Sequence, residues 1–202
     1  MIEVGLFAED EGHRSLLAGL IRRSAEEVGV STSTSIRNAE GGSPRVRRAL
    51  RQYVADLAAG RDSFLEVLVV AIDANSDGVA ARRQWIEGLI RNAYAGSLVT
   101  AIPDPHVERW YLADPYAVSA AIGQRYCAEV PTTLPKGQSY KRVLRSAFLQ
   151  GGVDPPGGGP EYGEVIAELM DLRTASRLPE LEQFLSDLRG ALRSASGGRG
   201  RS

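Results

Sequence analysis

Residues 64–72 read FLEVLVVAI, a run that is almost wholly apolar and β-branched apart from Glu66. Such a strand needs cover on both faces, which is the situation of a central strand in a parallel sheet. The run ends on Asp73. It also contains the longest apolar stretch of the chain, far short of the roughly 20 residues that cross a bilayer.

The surrounding sequence supplies partners for that strand. Ile2–Ala8 is a second short apolar run, followed by Glu9, Asp10, Glu11 and Gly12, then by Leu16, Leu17, Leu20 and Ile21 at helical spacing. Residues 28–36 alternate loosely and are rich in Thr, Ser and Val, which predicts a strand. A Gly-Gly-Ser-Pro break at 41–44 then opens a basic helix to about residue 59. Asp77 and Gly78 lead into a helix to about residue 94, and residues 98–102 predict a fourth strand stopped by Pro103. This alternation predicts an α/β fold, Rossmann-like, with a mostly parallel four-stranded sheet flanked by helices.

Beyond residue 102 the pattern turns helical. Asp104 and Pro105 read as the cap and first residue of a helix over 106–112. Further helices are predicted over 115–126, 140–149, 161–172 and 178–192, with loops over 128–138 and 151–160. The expected organisation is an α/β core over 1–127, a helical C-terminal extension over 128–193 packed on it, and a disordered tail over 194–202.

Charge narrows the partners. The 202 residues carry 24 Lys+Arg against 25 Asp+Glu, so no globally basic surface exists and any nucleic-acid contact has to be local. Arg45, Arg47, Arg48 and Arg51 on the second helix are the candidates for phosphate contact, joined by Lys136. Lys136 and Lys141 are the only lysines among the 24 cations; against that bias a lysine reads either as chance, or a solvated loop cation in the case of Lys136, or as a place where a compact ammonium is needed. The single cysteine, Cys127, cannot form an intrachain disulfide, and the MIEVGLFAED start lacks the basic and apolar regions of a secretory signal. A cytoplasmic protein without a membrane part is expected.

Ligands in open parallel sheets gather at the carboxyl ends of the strands, where strand order reverses. Glu9 and Asp10 follow the first strand and Asp73 follows the third. With a strand order of 2-1-3-4 these ends are neighbours, and their carboxylates could share a hard cation such as Mg²⁺ or Mn²⁺. Asn75 and Asp77 lie within reach as further oxygen donors; Asp77 also reads as a helix cap. An acidic pair, an Asp after the third strand and a later lysine also describe a phosphoacceptor receiver, but the separation from Asp10 to Asp73 is long for one.

Taken together, Glu9, the Asp73-Ala74-Asn75 segment and the stretch IPDPHVERWYLAD at 102–114 resemble a TOPRIM domain. More narrowly, the chain is similar to small stand-alone TOPRIM proteins, RloB-like and related to OLD-family nucleases, encoded beside an ATPase in bacterial defence loci. The resemblance spans most of residues 1–175, and the Pro-x-x-Glu-x-Trp-x-x-Ala-Asp segment is its most specific part. It implies a divalent-metal-dependent nuclease acting on DNA or RNA, with a partner ATPase subunit and a homo-oligomer as expected assemblies. Glu9 matches the family's first-strand glutamate, a metal ligand or general base. Asp73 matches the first aspartate of its Asp-x-Asp pair, Glu108 the glutamate of the tryptophan segment, and Lys141 the late lysine. Two departures stand out: Asp10 replaces a glycine, and Asn75 replaces the second aspartate. The alternative function is therefore a catalytically weakened TOPRIM-like module that binds and regulates a partner ATPase. His13 and His106 lie in the same segments and read either as phosphate contacts or proton donors or, as helix-start histidines more often are, as structural residues.

Overall fold

Every residue of the third strand is buried, as its composition requires. The computed structural model describes residues 1–39, 43–61, 64–124, 134, 139–175 and 177–198. Its α/β half runs β1 (Ile2–Ala8), α1 (Glu11–Glu27), β2 (Thr32–Asn38), α2 (Ser43–Ala58), β3 (Val67–Ala71), α3 (Val79–Ile90) and β4 (Ser97–Ala101). All pairings are parallel, as expected, and the order is β2-β1-β3-β4, the arrangement under which the ends of β1 and β3 are neighbours. Ala8 pairs with Asn38 and Ala71, and Ala71 with Ala101, so the four carboxyl ends finish level on one rim.

The period-two alternation of strand side chains divides the core in two. Val4, Leu6, Ala8, Val67, Val69 and Ala71 face one layer, which includes Leu16, Leu17 and Leu20 of α1. Phe7, Leu68, Val70 and Ile72 face the other, against Val46, Leu50 and Val54 of α2 and Ile86 and Ile90 of α3. Gly5 sits where Leu65 and Tyr53 cross β1; a Cβ there would clash with a methyl of Leu65 and lie 2.9 Å from the Tyr53 hydroxyl.

The C-terminal half contributes α4 (Glu108–Tyr111), α5 (Pro115–Ala121), α6 (Tyr140–Gln150), α7 (Gly163–Leu169), α8 (Leu172–Ala175) and α9 (Pro179–Gly198). Helix α9 lies against β4, and its Leu181, Phe184, Leu185 and Leu188 complete the α1 side of the core. Trp110 is wholly buried and stacks on Phe184 with ring centres 5.6 Å apart, so it packs rather than reads bases. Helix α7 crosses α1 closely, since a Cβ on Gly19 would come within 2.6 Å of Ala167. No helix among the described residues is long and apolar enough to cross a membrane.

Several boundaries differ from the sequence reading. Helix α1 continues to Glu27, and Gly29, with φ of 70°, turns the chain, so β2 starts at Thr32 rather than at residue 28. Phe64 is 80% exposed and precedes β3 instead of opening it. Asp104 caps nothing: the Asp104–Pro105 peptide is cis, and the helix begins only at Glu108 with Val107 as its cap. The helix expected over 161–172 is divided, because Met170 is extended with ψ of 129° between α7 and α8. Residues 194–198, expected to be disordered, form the end of α9. Lys136, Cys127 and the last four residues lie outside the described residues.

Candidate metal centre

The parallel ladder continues past the strand ends and builds the site. The Glu9 N–H donates to Ala71 O at 3.0 Å, Ile72 N–H to Ala101 O at 3.0 Å, and Ala74 N–H to Pro103 O at 2.8 Å. These bonds hold the segments after β1, β3 and β4 side by side. Glu9 lies beside Asp73 as a result, with Glu9 Oε2 accepting the Asp73 backbone N–H at 2.9 Å.

Asp10 has an extended backbone and caps α1, accepting the His13 N–H at 3.0 Å. Its Oδ1 also lies 2.7 Å from Nδ1 of His13, so one carboxylate fixes both the helix start and the imidazole. The ring of His13 is wholly buried and turns its other nitrogen toward β3. Nε2 lies 3.0 Å from Asp73 Oδ1, but the contact is not an aligned hydrogen bond; both atoms are buried without a hydrogen-bond partner. The second oxygen of Asp73 is 3.0 Å from Nδ1 of His106, whose ring is partly exposed.

Glu9, His13 and Asp73 thus each aim a donor atom at one place, with those atoms within 4.8 Å of one another. A buried Glu–His–Asp cluster of this kind can bind a metal ion. Without an ion, the positive charge among these carboxylates is His13 itself. Burial alone would discharge His13, yet the carboxylates of Asp10 and Asp73 outweigh it and hold its pKa up at about 10. Burial also works against ionised Asp10, but the bond and charge of His13 pull it down to about 2. Asp73 is likewise lowered despite burial, by His106 and His13. Glu9 is raised by burial, with the Asp73 N–H and His13 opposing. Glu108 is raised by burial and then by the charges of Asp73 and Asp10, which ties it to the same field. His106 is raised by its bond to Asp73, against burial.

The remaining expected ligands sit elsewhere. Asp10 stands behind His13, outside the three-residue cluster. Asn75 is exposed at a turn with φ of 50°. Oδ2 of Asp77 is 3.1 Å from Arg47 and 3.0 Å from Arg82, so its charge is spent on two guanidiniums. Arg47 also lies over the Trp85 ring at 5.0 Å, whereas Arg45, Arg48 and Arg51 are exposed along α2. Lys141 is exposed on α6, the helix packed against α4 and α5, and no ion pair joins it to Glu9, Asp73 or Glu108. Asp114 is structural: Oδ1 caps α5 by accepting Tyr116 N–H at 3.0 Å, and Oδ2 accepts Asp171 N–H at 2.8 Å.

His13, the third member of the cluster, reads in the sequence as a phosphate contact, a proton donor or a structural residue and not as a metal donor. Its signal was local: a histidine three residues after an N-cap aspartate can return its ring to the cap. No family model matches this chain, and no curated protein or solved structure is significantly similar to it.

Proposed function

We propose that this chain is a divalent-metal-dependent phosphodiester hydrolase of the TOPRIM type, acting on DNA or RNA. The observation that carries the reading is the convergence of Glu9, His13 and Asp73 at the carboxyl rim of adjacent strands β1 and β3. Asp73 Oδ1 and His13 Nε2, buried and 3.0 Å apart without an aligned hydrogen bond, are the atoms such an ion would satisfy. Glu9, His13 and Asp73 would hold it. When bound, a divalent cation stabilises charge on a phosphoryl oxygen and makes water a better nucleophile.

The chain's own residues supply the rest. Glu108, half-buried at the start of α4, would be the carboxylate that takes a proton from water, the role the family resemblance implies for it. His106 is anchored through Nδ1 to Asp73, leaving Nε2 for a phosphate oxygen. Helix α2 follows β2, so it starts at the same rim, and its exposed Arg45, Arg48 and Arg51 contact backbone phosphates beyond the site. Action in the cytoplasm, with a partner ATPase, belongs to the same proposal and rests on the single cysteine and the family resemblance.

The test is incubation of the full chain with Mn²⁺ or Mg²⁺ and with DNA, RNA or a chromogenic phosphodiester. Cleavage is expected, and Glu9→Gln and Asp73→Asn should abolish it; cleavage that survives both changes contradicts the assignment. A second reading, a binding module without turnover, is favoured by Asn75 and by the engagement of Asp77 with Arg47 and Arg82. It predicts metal uptake without cleavage of any of the three substrates.

A further inference from the structure

The residues imply more than a metal; they imply which chemical kind. An oxygen-only cage suits Mg²⁺, whereas an imidazole donor shifts preference toward first-row transition ions. Resting on the metal-centre reading above, we infer that His13 Nε2, releasing its proton to solvent as the ion binds, is a direct ligand, making a mixed imidazole–carboxylate centre selective for a first-row transition ion over Mg²⁺.

Three observations carry this. The ring of His13 is wholly buried, and its Nε2 makes no aligned hydrogen bond; it is paired by charge alone with Asp73 Oδ1, which is buried and likewise lacks an aligned hydrogen bond. Those two atoms are 3.0 Å apart. Two adjacent ligands of an octahedral ion with bonds of about 2.1 Å are separated by about the same distance, roughly 3.0 Å. The pair is thus spaced to grip one ion from two sides.

The opposite edge of the ring supplies the third observation. Nδ1 lies 2.7 Å from Asp10 Oδ1, and Asp10 is fixed as the cap of α1. Metal-bound histidines characteristically give their other ring N–H to a carboxylate, which sets the tautomer and aims the free nitrogen at the ion. Asp10, His13 and the cluster reproduce that order. Asp10 is accordingly a positioning residue, and the ligand set is Glu9, His13 and Asp73.

The experiment is pulsed electron paramagnetic resonance of Mn²⁺ bound to the full, untagged chain, with competition by Mg²⁺. The chain has two histidines, His13 and His106, so two variants assign any nitrogen signal. The inference expects histidine-nitrogen coupling to Mn²⁺ that is kept in His106→Gln and lost in His13→Gln. It also expects Asp10→Asn to weaken Mn²⁺ binding about 10–100-fold, with Mg²⁺ a poor competitor. If His13→Gln fails to fold, coupling retained in His106→Gln still assigns the ligand to His13. Mn²⁺ uptake without nitrogen coupling, coupling lost in His106→Gln, or Mg²⁺ competing on equal terms overturns the inference and leaves the metal centre standing. Absence of Mn²⁺ uptake by the wild-type chain overturns the metal-centre reading as well.

Discussion

Oδ1 of Asp10 accepts the backbone N–H of His13 at 3.0 Å and lies 2.7 Å from Nδ1 of the same residue. One carboxylate therefore starts a helix and orients a buried imidazole, so fold and site share a single support. Asp10→Ala should cost about 2 kcal/mol or more, combining loss of a helix cap with loss of a partner to a buried charge. Urea denaturation of the metal-free protein measures it, and a loss below about 0.5 kcal/mol would contradict the shared role.

The same pair predicts how metal-free stability depends on pH. His13 is raised from an ordinary 6.5 to about 10, so its contribution is complete below about pH 6.5 and disappears as pH rises through about 10. Asp10 is lowered from 3.8 to about 2, so its contribution is present above about pH 3.8 and is lost as pH falls through about 2. Thermal unfolding in chelator should show the pair's contribution in full between about pH 4 and 6.5 and declining from there to pH 10. His13→Gln should flatten the alkaline decline; an unchanged slope in that variant would contradict the pairing.

Asp77 lies outside the Glu9–His13–Asp73 cluster. It pairs with Arg47 and with Arg82, which is only 3% exposed. Asp77→Asn should destabilise by about 1–3 kcal/mol, less than a fully buried pair because Asp77 itself is exposed. Its Mn²⁺ affinity by calorimetry should match wild type. Loss of Mn²⁺ binding in a folded Asp77→Asn protein would make it a ligand after all.

The arginines of α2 should divide by role. Replacing Arg45, Arg48 and Arg51 together with Gln should lower oligonucleotide affinity and flatten its logarithmic salt dependence by about 2–3, while hydrolysis of a small phosphodiester is kept. Arg47→Gln should instead act mainly on stability, through Asp77 and Trp85. Equal salt slopes for wild type and the triple variant would remove α2 from the substrate path.

The parallel sheet was legible because buried parallel strands leave an unbroken apolar run, and acids at strand ends mark its rim. Glu9 and Asp73 were found that way; the order entered only as the arrangement that would make the ends of β1 and β3 neighbours. Boundaries slipped where one residue served two roles: Asp104-Pro105 has the composition of a helix start, yet the chain there runs beside the β3 loop, giving Pro103 O to Ala74 and Pro105 O to Asn75. Strand β2 was misplaced because it is mostly exposed and carries only a weak alternation. The place of His13 in the cluster was hidden because it depends on Asp73, 60 positions away, and Asp77 read as a free donor because Arg47 and Arg82 reach it only in the fold.

The most direct measurement is Mn²⁺ titration calorimetry on the wild-type chain beside Glu9→Gln and Asp73→Asn, with circular dichroism confirming that each variant is folded. The account predicts saturable uptake by the wild type and its loss in both variants. Equal uptake by all three, or none by the wild type, would contradict a cation centre at the ends of β1 and β3.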